Sequence, residues 1–294
     1  TTRRYPHELT YVLNFYDIPN IFVDTYIELY YHIESEKHEL YKKAAKVFKA
    51  QEDIELYEII WKHRINPHRP HLSEYAKKHN ISRETLHRSY NAHYLEYINK
   101  DEIKTVIDGG FCNGIHSLGF KKNFKNLKKL YAFEPMYEEF KNPVYDKIIK
   151  SENFCEVVNL GLWETETTLL FANNTTFHPG SRIVDENTVL KRSEKLVKIN
   201  VTSIDCFKKQ RNIEKVDFIK MDIEGAELPA LKGGLKTIIE DRPQLAISIY
   251  HSLDDLVNIP IYLNENLKNY TFKLGHYSFN RLESVIYAIP NELL

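Results

Sequence analysis

The stretch Val106-Ile107-Asp108-Gly109-Gly110-Phe111-Cys112-Asn113-Gly114 decides how this chain is read. An apolar run ends in an acid, a turn containing glycines follows, and a helical pattern continues from it. Glycines let a backbone approach a ligand closely, and the first amides of a helix are free to meet a polar group. Taken alone, the same letters also describe a plain tight turn. The next apolar run, Lys129 to Phe133, leads into Glu134-Pro135. Its acid falls about 20 residues beyond the turn, where a carboxylate at the tip of a second parallel strand accepts the ribose hydroxyls of a nucleoside. The alternative is a solvent-facing glutamate, but Pro135 stops the strand there and turns the chain toward the crevice.

A dinucleotide enzyme would place G-x-G-x-x-G in this turn and offer the helix dipole to a pyrophosphate. This turn has only Gly109, Gly110 and Gly114. A methyl donor without phosphate fits better, and Asp108 at the strand end suits a ligand carrying an amino group and a sulfonium charge. An NAD-binding enzyme is the alternative of the same class.

Working outward, short β-branched runs alternate with amphipathic stretches after Asp101, the mark of a parallel sheet covered by helices. The predicted strands are Lys104 to Ile107, Lys129 to Phe133, Cys155 to Leu160, Val216 to Met221 and Gln244 to Tyr250. Thr167 to Phe171 and Val197 to Val201 form a hairpin-like pair, with a polar loop from Asn173 to Ser193 between them. Thr271 to Leu274 and Ser284 to Ile289 finish the sheet as an antiparallel pair. Before Asp101 the chain is almost free of glycine and carries apolar residues at helical spacing, as in Ile21, Val23, Tyr26, Ile27, Tyr30 and Ile33. Helices are predicted there, over Glu36 to Lys49 and Asp53 to His63 and twice more between Pro70 and Lys100, with Ser82 as an N-cap. The fold expected is α/β, with a helical domain over 1–100 and a Rossmann-like domain over 101–294.

Two further stretches carry chemistry. Met221-Asp222-Ile223-Glu224-Gly225-Ala226-Glu227 puts three acids at the end of a buried strand, where open α/β sheets bind ligands. Glu224 and Glu227 lie three apart at the start of a helix, so the plainer reading is that they favour its macrodipole. Ser248-Ile249-Tyr250-His251 brings a histidine to the same edge. Imidazole titrates near neutrality, so His251 is the first candidate for a general base and Asp222 the second, with Glu224 beside them. The plainer reading is a structural histidine in a chain that has 13.

The 294 residues include 40 basic and 41 acidic side chains, for a formal charge of -1, so no global field draws in nucleic acid or an anionic membrane. Cys112, Cys155 and Cys206 match neither a disulfide framework nor a metal-ligand spacing, and a reducing cytoplasm is the expected setting. No apolar run reaches membrane-spanning length. The chain begins at Thr1 without an initiator Met, which is compatible with Thr1 being a processed or trimmed end rather than the natural start. One segment, Leu72 to Tyr90, is spaced like a helix-turn-helix, which makes a nucleic-acid-binding module the rival of a different class. The preferred role for residues 1–100 is homodimerisation or shaping of an acceptor pocket.

The motifs together resemble the FkbM-type methyltransferase family, a branch of Rossmann-like S-adenosylmethionine enzymes that mostly O-methylate sugars and other small hydroxylated metabolites. The matching blocks are Val106 to Gly114, Phe133-Glu134-Pro135, Val158-Asn159-Leu160-Gly161-Leu162-Trp163, and Thr202-Ser203-Ile204-Asp205 leading to Ile219 through Glu227. Leu231-Lys232-Gly233-Gly234 and Arg242-Pro243 extend the likeness, which spans about Lys104 to Pro290. The resemblance implies S-adenosylmethionine as cofactor and a binding set of Asp108, Gly109, Gly110, Phe111, Gly114, Glu134, Pro135, Asn159, Leu160, Gly161 and Asp222. Where the family reads Asp-Val-Gly-Ala-Asn-x-Gly, this chain has Phe111 and Cys112 in the Ala-Asn places, so its turn is bulkier. Related methyltransferases hold a divalent ion on acids at this strand end, and Asp222 with Glu224 is the pair able to do so. No metal is predicted. The acceptor expected is a small molecule or glycan, with no membrane span.

Overall fold

The computed structural model describes residues 37–65, 71–79, 81, 93–174, 181–190, 194–278 and 281–294. The strands are β1 Thr105–Gly109, β2 Lys129–Phe133, β3 Cys155–Val158, β4 Gly161–Leu162, β5 Thr167–Asn174, β6 Arg182–Val184, β7 Glu194–Thr202, β8 Phe218–Met221, β9 Gln244–Ser248, β10 Tyr270–His276 and β11 Ser284–Pro290. β8, β9 and β11 are buried along their whole length. Helices cover both faces of their sheet, and such strands must read as unbroken apolar runs. The seven-stranded sheet has the order β10-β11-β9-β8-β1-β2-β3, parallel except that β11 runs against both neighbours. The expected antiparallel finish is therefore present, and the fold is the mixed α/β architecture expected.

Register decides which side chains meet. Asp108 lies opposite Ala132 on one side and Lys220 on the other, and Lys220 lies opposite Ala246. The row Ala132, Asp108, Lys220, Ala246 thus crosses four strands on one face. Small residues at both ends leave room for a charged pair in the middle. The same face carries Val106, Leu130, Phe218 and Tyr287, packed with Phe120 and Phe124. The opposite face carries Ile107, Ile219, Leu245 and Ile247.

β3 stops at Val158, two residues before the expected end, because the chain leaves the sheet at Asn159 and Leu160 and enters a second one. That sheet has the order β4-β7-β5-β6, with β5 and β7 antiparallel over their full length. The polar stretch Asn173 to Ser193 is only partly loop. β5 runs on to Asn174, and Arg182–Val184 pairs with Leu170, Phe171 and Ala172.

Helix is present over 37–45 and in α1 Gln51–Ile65 and α2 His71–Lys78, as expected. The predicted helix around Ile21 to Ile33, and Ser82 with the rest of the helix-turn-helix-like segment up to Tyr90, fall outside the described residues. The described helices do not enclose a core of their own. Phe48, Tyr57, Ile60, Trp61 and Leu72 belong to the same apolar cluster as Leu256, Ile259 and Leu274. The Tyr57 hydroxyl donates to the Leu256 carbonyl at 3.0 Å, and the buried Asp53 accepts the Leu274 amide at 3.2 Å. Among the described residues no helix is long and apolar enough to cross a membrane.

β1 is followed by α3 Ile115–Asn123, and the turn between them contains Gly110 at φ +81°. A Cβ there would stand 1.8 Å from the Asp222 carbonyl oxygen, whereas one at Gly119, inside α3, would meet nothing within 4 Å. Gly110→Ala is therefore expected to lower the urea unfolding midpoint sharply, at a cost above about 3 kcal/mol. Gly119→Ala should raise it, by up to about 1 kcal/mol. A neutral Gly110→Ala would contradict the close approach of the turn to β8.

Candidate active site

The turn after β1 is held mainly by the protein itself. The amides of Gly110 and Phe111 both donate to the Phe133 carbonyl at 3.1 Å, and the Asp222 amide donates to the Gly109 carbonyl, also at 3.1 Å. Gly110 is glycine because of the Asp222 carbonyl, and Gly114, at φ +86°, because a Cβ would press on the Phe111 ring at 2.7 Å. The bulk of Phe111 is turned into the core against Tyr137, 5.6 Å between ring centres. A family departure that looked like crowding is absorbed inside the fold.

Glu134 follows β2 and is almost fully buried. Its carboxylate accepts the Cys112 amide at 2.9 Å and the Met136 amide at 3.1 Å. Burial raises its pKa, while those two amides oppose the shift. Each carboxylate oxygen can accept more than one hydrogen, so both retain capacity for a ligand.

Asp108 does not face the cavity. It lies under the turn, 1% exposed, with Lys220 Nζ 3.0 Å away and the Ser117 hydroxyl donating at 2.5 Å. Lys220 also donates to the carbonyls of Gly109 at 2.9 Å and Gly110 at 2.8 Å. Two of the ammonium hydrogens go to those carbonyls, and Asp108 balances its charge as an ion pair. The acid expected to meet a ligand amine is instead the counter-ion of a lysine.

Beyond β8, Asp222 accepts the Tyr94 hydroxyl and the Tyr250 hydroxyl, each at 2.8 Å. His251 Nε2 stands 3.3 Å from Asp222 and 3.7 Å from Glu224, and its Nδ1 is 3.2 Å from Glu227. Glu227 opens α6 Glu227–Gly233 and also accepts the Ile223 amide at 2.7 Å. Burial opposes ionisation of Asp222, but the cations of His251 and Lys220 and the two tyrosine hydroxyls outweigh it and hold its pKa far below the usual range. Burial also works against an imidazolium, yet Glu227, Asp222 and Glu224 lift His251 to about 10. Glu224 is pushed up to about 8 by burial, with Asp222 and Glu227 adding to the shift and His251 opposing it. The three carboxylates around His251 therefore favour its protonated form, which runs against the general-base role expected of it, and its two nitrogens stand at ion-pair distance from them. Asp222, Glu227 and His251 bring ligand-type atoms within 4.8 Å of one another. Each imidazole nitrogen faces a carboxylate, so the same side chains are also placed to pair as ions.

A cavity of about 290 Å³ opens over these elements. Of the residues singled out from sequence, Gly110, Phe111, Glu134, Pro135, Gly161, Asp222 and Glu224 line it. Asp108, Gly109, Gly114, Asn159, Leu160 and His251 are not on its wall; His251 stands against Asp222 and Glu224. The second sheet contributes Phe171, Ile183, Ile199 and Val201, and His116, Tyr250 and Glu283 complete the polar end. Burial keeps His116 neutral, with its pKa down to about 4, and brings Glu283 up to about 7 together with Asp222. Sequence reading missed Glu283 because only the antiparallel placement of β11 beside β9 brings it there. It missed Tyr94 because no pattern marks that turn.

A family profile described as the methyltransferase FkbM domain matches residues 112–274, more than half of the chain. The chain belongs to the FkbM methyltransferase family. Among solved structures, methyltransferase FkbM from Methylobacillus flagellatus KT aligns with a TM-score of 0.61 at 19% identity, over 87% of this chain and 60% of that one. That likeness shows the fold, and the chain spans less than two thirds of that protein's length. Aeropyrum pernix fibrillarin in complex with natively bound S-adenosyl-L-methionine gives a TM-score of 0.38 at 12% identity, covering 68% of this chain and 74% of that one. Precorrin-6y C5,15-methyltransferase from Geobacter metallireducens GS-15 gives 0.38 at 11%, covering 70% and 87%. No curated protein matches the chain. Tyr94 and Glu283 both lie outside the segment that matches the FkbM family.

Two outcomes follow from the electrostatics. Lys220→Met would leave Asp108 buried without its counter-ion and two carbonyls without a donor, so unfolding by urea should show a loss of about 3–5 kcal/mol. The second concerns pH. His251 and Glu224 both have folded pKa values above their unfolded ones, so the native state binds more protons than the unfolded chain. Their contribution to stability is fully present below the unfolded values and falls as pH rises, through about 8 for Glu224 and about 10 for His251. Stability should therefore decline between pH 7 and 10, with His251 contributing up to about 1.4 kcal/mol per pH unit. His251→Gln should flatten that decline.

Proposed function

We propose that the chain is an S-adenosylmethionine-dependent O-methyltransferase acting on a hydroxyl of a sugar or glycan-related small molecule. The observation that carries the reading is Glu134, a buried carboxylate on the cavity wall beside the turn after β1. This is the geometry a nucleoside ribose requires at the second strand of such a sheet. Glu134 would hold the ribose hydroxyls. Gly161 and Leu162, with Ile199 and Val201 above them, would enclose the adenine. Asp222, kept ionised by two hydroxyls and an imidazolium, would face the positive end of the donor.

When bound, the donor supplies an electrophilic methyl group and leaves as a neutral thioether. The chain's contribution is placement and the exclusion of water. The roof of Phe171, Ile183, Ile199 and Val201 dries the cavity, and the fixed carboxylates orient donor and acceptor hydroxyl in line. The helical segment takes part, since Tyr94 reaches Asp222 from it; shaping the acceptor pocket is the role assigned to it here.

Calorimetry with S-adenosylmethionine and its demethylated product should show saturable binding of both, with NAD failing to compete. Glu134→Ala should weaken both by at least about tenfold, the loss of hydrogen bonds to a charged group. Mass spectrometry of neutral sugars and glycans incubated with enzyme and donor should then reveal a gain of one methyl group. Absence of donor binding would sink this reading.

A further inference from the structure

The proton of an acceptor hydroxyl must go somewhere, and the unliganded site has no ready taker. Each ring nitrogen of His251 faces a carboxylate, which draws the imidazole toward its protonated form, and Asp222 already accepts two tyrosine hydroxyls. Glu224 lines the cavity, stands 3.7 Å from His251 Nε2, and is held at φ +58° where the chain turns into α6. Its surroundings oppose its ionisation. Asp222 faces it from just beyond β8, Glu227 from α6, His251 and Tyr250 from the segment after β9, and Glu134 from the end of β2, while Glu283 shares the cavity wall from the connection between β10 and β11. His251 is thus the cation of that group, set among several acids, and Lys220 lies apart with Asp108 and the turn carbonyls.

Resting on the donor reading above, we propose that Glu224 is the proton acceptor of methyl transfer and that it gives up its own proton only when the cationic donor shares the cavity with it. A positive charge a few ångströms away in a medium of low dielectric favours the ionised carboxylate strongly. The step then balances. An oxygen lone pair of the acceptor forms the new bond to the methyl carbon, the carbon–sulfur bond breaks with its pair left on sulfur, and the hydroxyl proton passes to the Glu224 carboxylate. The base thus exists only in donor-loaded protein, which keeps an acidic cavity from carrying a buried uncompensated charge between turnovers.

The test uses the full chain, S-adenosylmethionine and S-adenosylhomocysteine, which differ at the reacting end by the methyl group and its sulfonium charge. Calorimetry at pH 6.5, below the usual α-amino range, in two buffers of different ionisation enthalpy counts the protons exchanged on binding. The sulfonium ligand is expected to release about half to one proton, and its affinity to rise by up to about tenfold per pH unit between pH 6 and 7.5. The uncharged product should release far less. Glu224→Gln should still bind the donor but lose most of the release. Binding of the donor without proton release, equal release with both ligands, or full release in a folded Glu224→Gln would each overturn the assignment. Should that variant not fold, the comparison of the two ligands on the native chain decides alone. If neither ligand binds, the donor reading falls and takes this assignment with it.

Discussion

The structure turns on one buried ammonium. Lys220 sits in the middle of the sheet, 1% exposed, paired as an ion with Asp108 and donating to the carbonyls of Gly109 and Gly110. An isolated charge at such depth would be very costly, and replacing it with a well-packed apolar residue could even be neutral in a different context. Here it does what an apolar residue cannot. It ties the turn after β1 to β8, so that the backbone of Gly110 lies against the Asp222 carbonyl with no space for a Cβ. The turn and Asp222 therefore have fixed positions relative to each other, with the lysine acting beside the bond from the Asp222 amide to the Gly109 carbonyl.

Around that fixed point, charge is arranged so that each ion has a partner, but only just. His251 serves Asp222, Glu224 and Glu227 at once, and the hydroxyls of Tyr94 and Tyr250 make up the remaining need of Asp222. Hydroxyl donors stabilise a carboxylate without adding a second cation, which leaves the cavity free of fixed positive charge that would repel a sulfonium. Among the described residues no lysine or arginine lines it. The helical segment is braced into the same network, because the Arg64 guanidinium donates to the carbonyls of Tyr250 and Arg281. A shift of α1 would be felt at the hydroxyl that holds Asp222.

Much of this was legible in the sequence, and the limits have physical causes. Strands buried on both faces read as apolar runs, so Phe218 to Met221 and Gln244 to Ser248 stood out, and Glu134 followed from its spacing to the turn. Asp108 was legible as a strand-end acid, but its partner was not, because the ion pair depends on the register of β1 against β8, which lie more than 100 residues apart. The pKa of His251 could not be read from a histidine at a strand end; it depends on three carboxylates from two other elements converging on one ring. The β6 strand was hidden because its three residues, Arg182, Ile183 and Val184, are too few to show alternation and are specified by their partners on β5.

The division between what the family segment supplies and what this chain adds has a chemical logic. Residues 112–274 include Glu134, Asp222 and Glu224, the carboxylates on which the proposed donor reading rests. Tyr94 before that segment holds Asp222 from behind the cavity wall, and Glu283 after it lines the polar end, both from connections whose sequences carry no periodic pattern. A donor site must present the same carboxylates to the same molecule, so it is tied to strand ends whose register is fixed by burial. An acceptor site must differ from enzyme to enzyme, and connections tolerate change without disturbing the sheet. On the reading proposed above, the polar end of the cavity around Glu283 would be where this chain's choice of acceptor is encoded, with the sheet beneath it holding the donor.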